Sequence, residues 1–419
     1  MKIANRTLIG RSAIITATQL TARLLNLATL SVVLKLVGNA EFGKFQYYLS
    51  LAMTALTFGS AGVDGVLNRE ISLGIRHACN WLYHGLVLRM GTVGLALLAL
   101  FAVAWTTRMQ VNYLLLFGTS LLAFSESLLI FGSGWYRARR LPLADLGLNL
   151  ARGLAILISI CVILRLVPDE RGITLSYTIG AGLVLAHTVW QWRRQLSVGR
   201  RQSFSYRALW APWATFFTLD VLGNIHGQLP TLFLGGGGRF EEVALFTVYN
   251  KFLSPAALIT GSYLQAFFPE FNRMLRRGDD VRAFTRHGLS MIGWTGLASG
   301  FAVVVIAPFV IRWLGHQPVV DWRLVAAYAA MPLVAGFSAA FDNMLAAMHK
   351  ERALLWSHGA ADLSLVIALL AGSTTTAVYA SIAMLTTIAV KAVIAGSIFY
   401  SQSHTLRGSQ PPVISANPT

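Results

Sequence analysis

The chain has 419 residues, 55% hydrophobic and only 12% charged, with a mean hydropathy of +0.59. A soluble domain carries about 25% charged residues, so this composition excludes one and indicates a polytopic membrane protein. The net charge of +17 would suggest nucleic acid in a soluble protein; here the Arg clusters recur between apolar segments, the positive-inside pattern, and no nucleic-acid partner is expected.

Taken in order, the chain shows twelve hydrophobic segments, roughly 12–37, 43–66, 83–106, 111–132, 142–166, 173–192, 209–234, 243–268, 288–314, 322–348, 353–371 and 374–400. Met1–Arg11 is basic, like the start of a signal peptide. The apolar run behind it is too long for a signal h-region, so an uncleaved first helix is expected. In that helix Arg23 falls near the middle, with Gln19, Asn26 and Thr29 at helical spacing on the same face. A single Arg at the bilayer centre costs ~2.5–3.5 kcal/mol on insertion scales. The face is therefore expected to line a cavity rather than lipid.

The connections alternate in charge. One set carries Lys2, Arg6 and Arg11, then Arg69 and Arg76, Arg137, Arg139 and Arg140, Arg193 to Arg207, Arg273 to Arg286, Lys350 and Arg352, and Arg407. The other holds Lys44, Arg108, Arg165, Arg171, Arg239, Arg312 and Arg323. The richer set places both termini in the cytoplasm. The most basic connection lies near the midpoint and divides the chain into an N-terminal lobe at 1–195, a linker at 196–208, a C-terminal lobe at 209–401 and a tail at 402–419. GNAEFGKFQYYLSLAM (38–53) and GGGRFEEVALFTVYNKFLSPA (236–256) correspond across the halves, a weak internal repeat of six spans. No connection is long enough to hold a soluble domain.

Charged residues also lie within the spans. Depth from the helix ends matches Glu126 with Arg152, and Asp362 with Lys391, as intramembrane ion pairs or parts of a transport cycle. Asp64 and Asp342 read as capping or interfacial, and Arg89 as snorkelling to the cytoplasmic surface. Arg23 and Lys251 have no partner in an adjacent span. They either face each other as a cationic, phosphate-type site, or Arg23 pairs with Asp220, which sits at equal depth in the seventh segment. That segment carries its own polar stripe, Asp220, Asn224 and Gln228, with His226 nearby and Pro230 inviting a kink. Asp220 is a candidate cation or proton site. Cys79 and Cys161 form neither a disulfide framework nor a metal-ligand spacing. Residues 235–238 (GGGG) lack the Lys-Ser/Thr of a phosphate loop and read as a turn. No cofactor or metal is expected.

LKLVGNAEFGKFQYYLSLAMTALTFGSAGVDGVLNREIS (34–72) and YNKFLSPAALITGSYLQAFFPEFNR (249–273) resemble the polysaccharide-transporter branch of the multidrug/oligosaccharidyl-lipid/polysaccharide exporter superfamily. The resemblance implies an all-α membrane protein of twelve transmembrane helices in two six-helix lobes around a central cavity. It implies a non-enzymatic flippase of the bacterial cytoplasmic membrane that turns undecaprenyl-pyrophosphate-linked oligosaccharides outward. Arg23 and Lys251 would then lie near the pyrophosphate, with a polysaccharide polymerase and chain-length machinery as further partners. Two rivals remain: a multidrug antiporter of the same superfamily, and a membrane-embedded glycan polymerase or ligase. A drug antiporter favours an unopposed carboxylate in its cavity; a polymerase or ligase usually needs a sizeable outer loop.

Overall fold

In the absence of water, a spanning chain must satisfy its backbone hydrogen bonds internally, so long apolar segments become helices. The computed structural model describes residues 2–60, 62–63, 78–109, 111–139, 141–201, 210–277, 281–314, 320–348, 350–372 and 376–403; within these, side chains are described from residue 20 onward except at 210–216, 219, 252–259, 262, 265, 266, 269, 272, 276, 277, 313, 314, 351, 402 and 403. Among them are twelve long helices: α1 Lys2–Val37, α2 Asn39–Ser60, α3 Ala78–Thr106, α4 Tyr113–Ala138, α5 Pro142–Ile163, α6 Glu170–Arg200, α7 Trp210–Gly236, α8 Phe240–Arg277, α9 Val281–Leu314, α10 Trp322–Ala347, α11 Glu351–Ala371 and α12 Ala377–Ser403. Several run past their apolar segments. α6 continues into the basic connection, and α8 runs on to Arg277. Backbone helicity survives beyond the hydrocarbon because an α-helix closes its own hydrogen bonds in water too, and Arg is among the better helix formers.

Packing divides the helices into two lobes with the same wiring. In the N-terminal lobe α1 packs on α5, α5 on α6, α6 on α4, and α4 on α2; in the C-terminal lobe α7 packs on α11, α11 on α12, α12 on α10, and α10 on α8. Aromatic residues lock each lobe. Trp192 Nε1 donates to the Tyr136 hydroxyl at 2.9 Å, tying α6 to α4. The Tyr328 hydroxyl donates to the Phe246 carbonyl at 3.2 Å, tying α10 to α8.

Nine helices are long and apolar enough to cross a membrane, counted over the described residues. The other three, α2, α7 and α8, are the helices that join the lobes: α2 packs on both α7 and α8, and α1 adds a smaller contact with α8. The face of the bundle where α1 ends and α2 begins is called here the far face, the opposite one the near face. At the far face the seam is tight. A Cβ on Gly43 would lie 1.7 Å from the Phe240 carbonyl oxygen, and one on Gly235 2.1 Å from the Tyr47 ring. Only glycine lets those backbones approach so closely.

Candidate functional site

Polar side chains collect in two cavities, one per lobe, and at the seam between them. The first cavity, ≈ 250 Å³, lies between α1, α4 and α5 and is lined by Arg23, Ser133, Arg137, Asp145, Asn149 and Arg152 with apolar walls. Asp145, Asn149 and Arg152 recur at helical spacing on α5, so one face of that helix is polar. Arg152 holds Glu126 in a two-pronged pair, Nε to Oε1 at 2.9 Å and Nη2 to Oε2 at 2.5 Å. Asp145 accepts from the Ser133 hydroxyl and, at 3.0 Å, from Asn149 Nδ2. Arg137 approaches the same carboxylate only to 3.8 Å and is half exposed. Arg23 differs from these: its Nη1 is buried and has no hydrogen-bond partner among the described residues.

The second cavity, ≈ 220 Å³, lies between α7, α10, α11 and α12 and is lined by His226, Asp342, His358, Asp362 and Lys391 among small residues. Lys391 Nζ donates to Asp342 Oδ2 at 2.6 Å, and His358 lies 3.4 Å from the same oxygen. His226 Nδ1 and Asp362 Oδ1 are 3.0 Å apart. Asp342 Oδ1, Asp362 Oδ2 and His226 Nε2 are buried without hydrogen-bond partners among the described residues.

Three expectations are corrected here. Lys391 pairs with Asp342, and Asp362 with His226, in place of an Asp362–Lys391 pair. Depth along a helix does not specify which neighbour a side chain faces, and Lys391 faces α10. Asp342 accordingly is not an interfacial cap but a member of this cavity. Arg89 does not snorkel: it is 1% exposed, its Nε donates to Ser127 Oγ at 2.7 Å, and its guanidinium lies over the Phe131 ring. Asp64 and the Gln19 side chain fall outside the described residues.

At the seam, Asp220 Oδ2 accepts the backbone N–H of Gly62 at 2.8 Å, so α7 holds the end of the α2 segment. Asn224, which is exposed, donates to the Asp220 carbonyl at 2.7 Å. Gln228 is half buried and Asn26 exposed. Lys251 Nζ sits 5.7 Å above the Phe42 ring, across the lobes. No ion pair joins Arg23 to Asp220 among the described residues, and no contact brings Arg23 to Lys251. His358 and the Arg137–Asp145–Asn149 group were missed from sequence. The signals were present: His358 and Asp362 are four apart on α11, and the α5 spacing repeats the stripe logic used for α1 and α7.

Residues 9–275 match the family described as polysaccharide biosynthesis protein. No curated protein matches the chain. Solved structures with the same fold include an inward-facing multidrug resistance MATE family transporter of the MOP superfamily, at 16% identity and a TM-score of 0.66, covering 94% of this chain and 100% of that one. An outward-facing transporter of the same kind matches at 12% identity and a TM-score of 0.62, covering 95% of each chain. A MOP superfamily transporter from Pyrococcus furiosus, its binding pocket described as of reverse polarity, matches at 13% identity and a TM-score of 0.63, covering 96% of each.

Proposed function

The chain belongs to the polysaccharide biosynthesis protein family, and we propose that it is a flippase. In this reading it carries polyprenyl-pyrophosphate-linked oligosaccharide units from the cytoplasmic to the outer leaflet of a bacterial cytoplasmic membrane by rocking one lobe against the other. The substrate class follows from charge. An anionic headgroup faces a large barrier in hydrocarbon, while its lipid tail can stay in the bilayer. A protein that moves it needs cations within the membrane that are not already neutralised. Arg23 is the observation that carries the reading: a guanidinium inside a span, with a buried Nη1 that no group among the described residues satisfies. A guanidinium can hold phosphate oxygens bidentately. Lys251, at the seam over Phe42, is the second cation assigned to the pyrophosphate, met when the lobes reorient.

The test is complementation of a deletion strain. Arg23→Ala abolishes surface glycan while the protein still inserts, and Arg23→Lys retains part of the function because the charge stays but the fork is lost. Unchanged glycan in Arg23→Ala would sink the pyrophosphate role. The orientation proposed, with the near face cytoplasmic, predicts that reporter fusions after Arg201 read cytoplasm and those after Arg171 read periplasm; the reverse result inverts the transport direction.

One observation favours a second reading. The C-terminal cavity holds two carboxylates, Asp342 and Asp362, against one lysine, an arrangement suited to an organic cation. A multidrug antiporter would give drug sensitivity in the deletion strain with normal surface glycan.

A further inference from the structure

Charge in the N-terminal cavity nearly balances. Glu126 neutralises Arg152 bidentately. Asp145 stands opposite Arg137. Arg23 is left over, with its Nη1 buried and unpaired. The walls contributed by Ala22, Leu129, Ile130 and Leu148 keep the surroundings apolar, which strengthens any charge interaction made there. A buried cation in such a place is costly unless an anion joins it.

The cavity also has a direction. Arg137 lies one residue from the end of α4, and Asp145 lies in the first turn of α5, so this end of the cavity is at the near face. Arg152 is seven residues further along α5, ~10 Å deeper at ~1.5 Å per residue. Cations thus line a path inward from that face. At ≈ 250 Å³ the space holds on the order of eight waters at ~30 Å³ each, far more than a halide needs. Asp145 is already held by Ser133 and Asn149, while Arg137 touches it only at 3.8 Å and is half exposed. Arg137 can therefore leave Asp145 without stranding it.

The geometry points to a diphosphate seat inside the N-terminal lobe: the headgroup enters between α1, α4 and α5, Arg23 anchors it from within, and Arg137 swings off Asp145 onto the outer phosphate. This rests on the flippase reading and locates its first step. Loading occurs within one lobe, before the seam and Lys251 are involved. A bulk phospholipid phosphate offers the same oxygens but one phosphate fewer, so a site built on two separated cations favours the diphosphate.

The experiment uses the full-length protein in phosphatidylcholine nanodiscs, with farnesyl diphosphate as the probe. Wild type binds it. Arg23→Gln weakens binding by about tenfold or more, the usual effect of losing a charge-assisted pair. Arg137→Gln, at a half-exposed position that poses no folding risk, weakens it severalfold and brings affinity close to that for farnesyl monophosphate. If wild type binds the probe and Arg23→Gln and Arg137→Gln bind it equally well, the intralobe seat is wrong and the pyrophosphate substrate stands. No binding by wild type overturns both. If phosphatidylglycerol doped into the disc displaces the probe at equal mole fraction, the cavity holds ordinary phospholipid and the seat is overturned.

Discussion

The two lobes share a frame and differ in sign. Both place a polar cavity between their first, fourth and fifth helices, counted within the lobe, and the C-terminal one adds its sixth, which carries Lys391. In the N-terminal cavity Arg23, Arg137 and Arg152 face Asp145 and Glu126. In the C-terminal one Asp342 and Asp362 face Lys391, with His226 and His358 beside them. The first is one positive charge over balance; the second is one short when its histidines are neutral. Helix wiring follows apolar faces and small residues, which a repeat preserves. Charge is set by a few side chains within that wiring, and these have diverged. Shared packing therefore does not assign the same ligand to both lobes.

The contrast is sharpest in what each cation does when removed. Arg23→Ala should eliminate export yet leave the unfolding midpoint of the purified protein unchanged or raised, because the buried Arg23 Nη1 holds no partner among the described residues. Lys391→Ala should do the opposite first. It leaves Asp342 with His358 alone, and removing one member of a half-buried pair costs on the order of 1–3 kcal/mol, read as a lowered thermal midpoint in detergent. The double variant Lys391→Met with Asp342→Leu should recover most of that loss; a double variant no better than the single would mean that the pair is not the unit of stability. Gly43→Ala tests whether the lobes meet as rigidly as drawn. Its methyl would overlap the Phe240 carbonyl, and overpacking of this kind costs about 1–3 kcal/mol; a neutral effect in the same assay breaks the tight-seam description. Asn26→Ala is the smallest. Asn26 is exposed, and such surface changes stay within about 0.5 kcal/mol, so glycan export and midpoint should both be unaltered.

How the spans follow one another was readable because hydrocarbon leaves helices as the only option for a chain of this pattern. The site was readable in part. Arg23 stood out because its cost in lipid demands an explanation. Glu126 and Arg152 were matched by depth, and in the structure Arg152 holds Glu126. The same logic paired Asp362 with Lys391, where the structure pairs Lys391 with Asp342. Depth is one coordinate. The second, which neighbour a helix face turns toward, depends on packing between helices distant in sequence, such as α10 on α12. Arg137 was hidden differently: it read as one more basic residue at a membrane edge, and only its place beside Asp145 shows that it also borders a cavity.

α2 packs within its own lobe on α3, α4 and α6, and across the seam on α7 and α8. It is thus counted twice, once in the stability of a lobe and once in the joint. Close-packed joints of this kind have discrete settings rather than a continuum. If the lobes rock as proposed, the fit of Gly43 on Phe240 and of Gly235 on Tyr47 acts as a clock: the lifetime of that fit sets how long the far face stays shut, and substitutions there should alter turnover frequency before they alter substrate affinity.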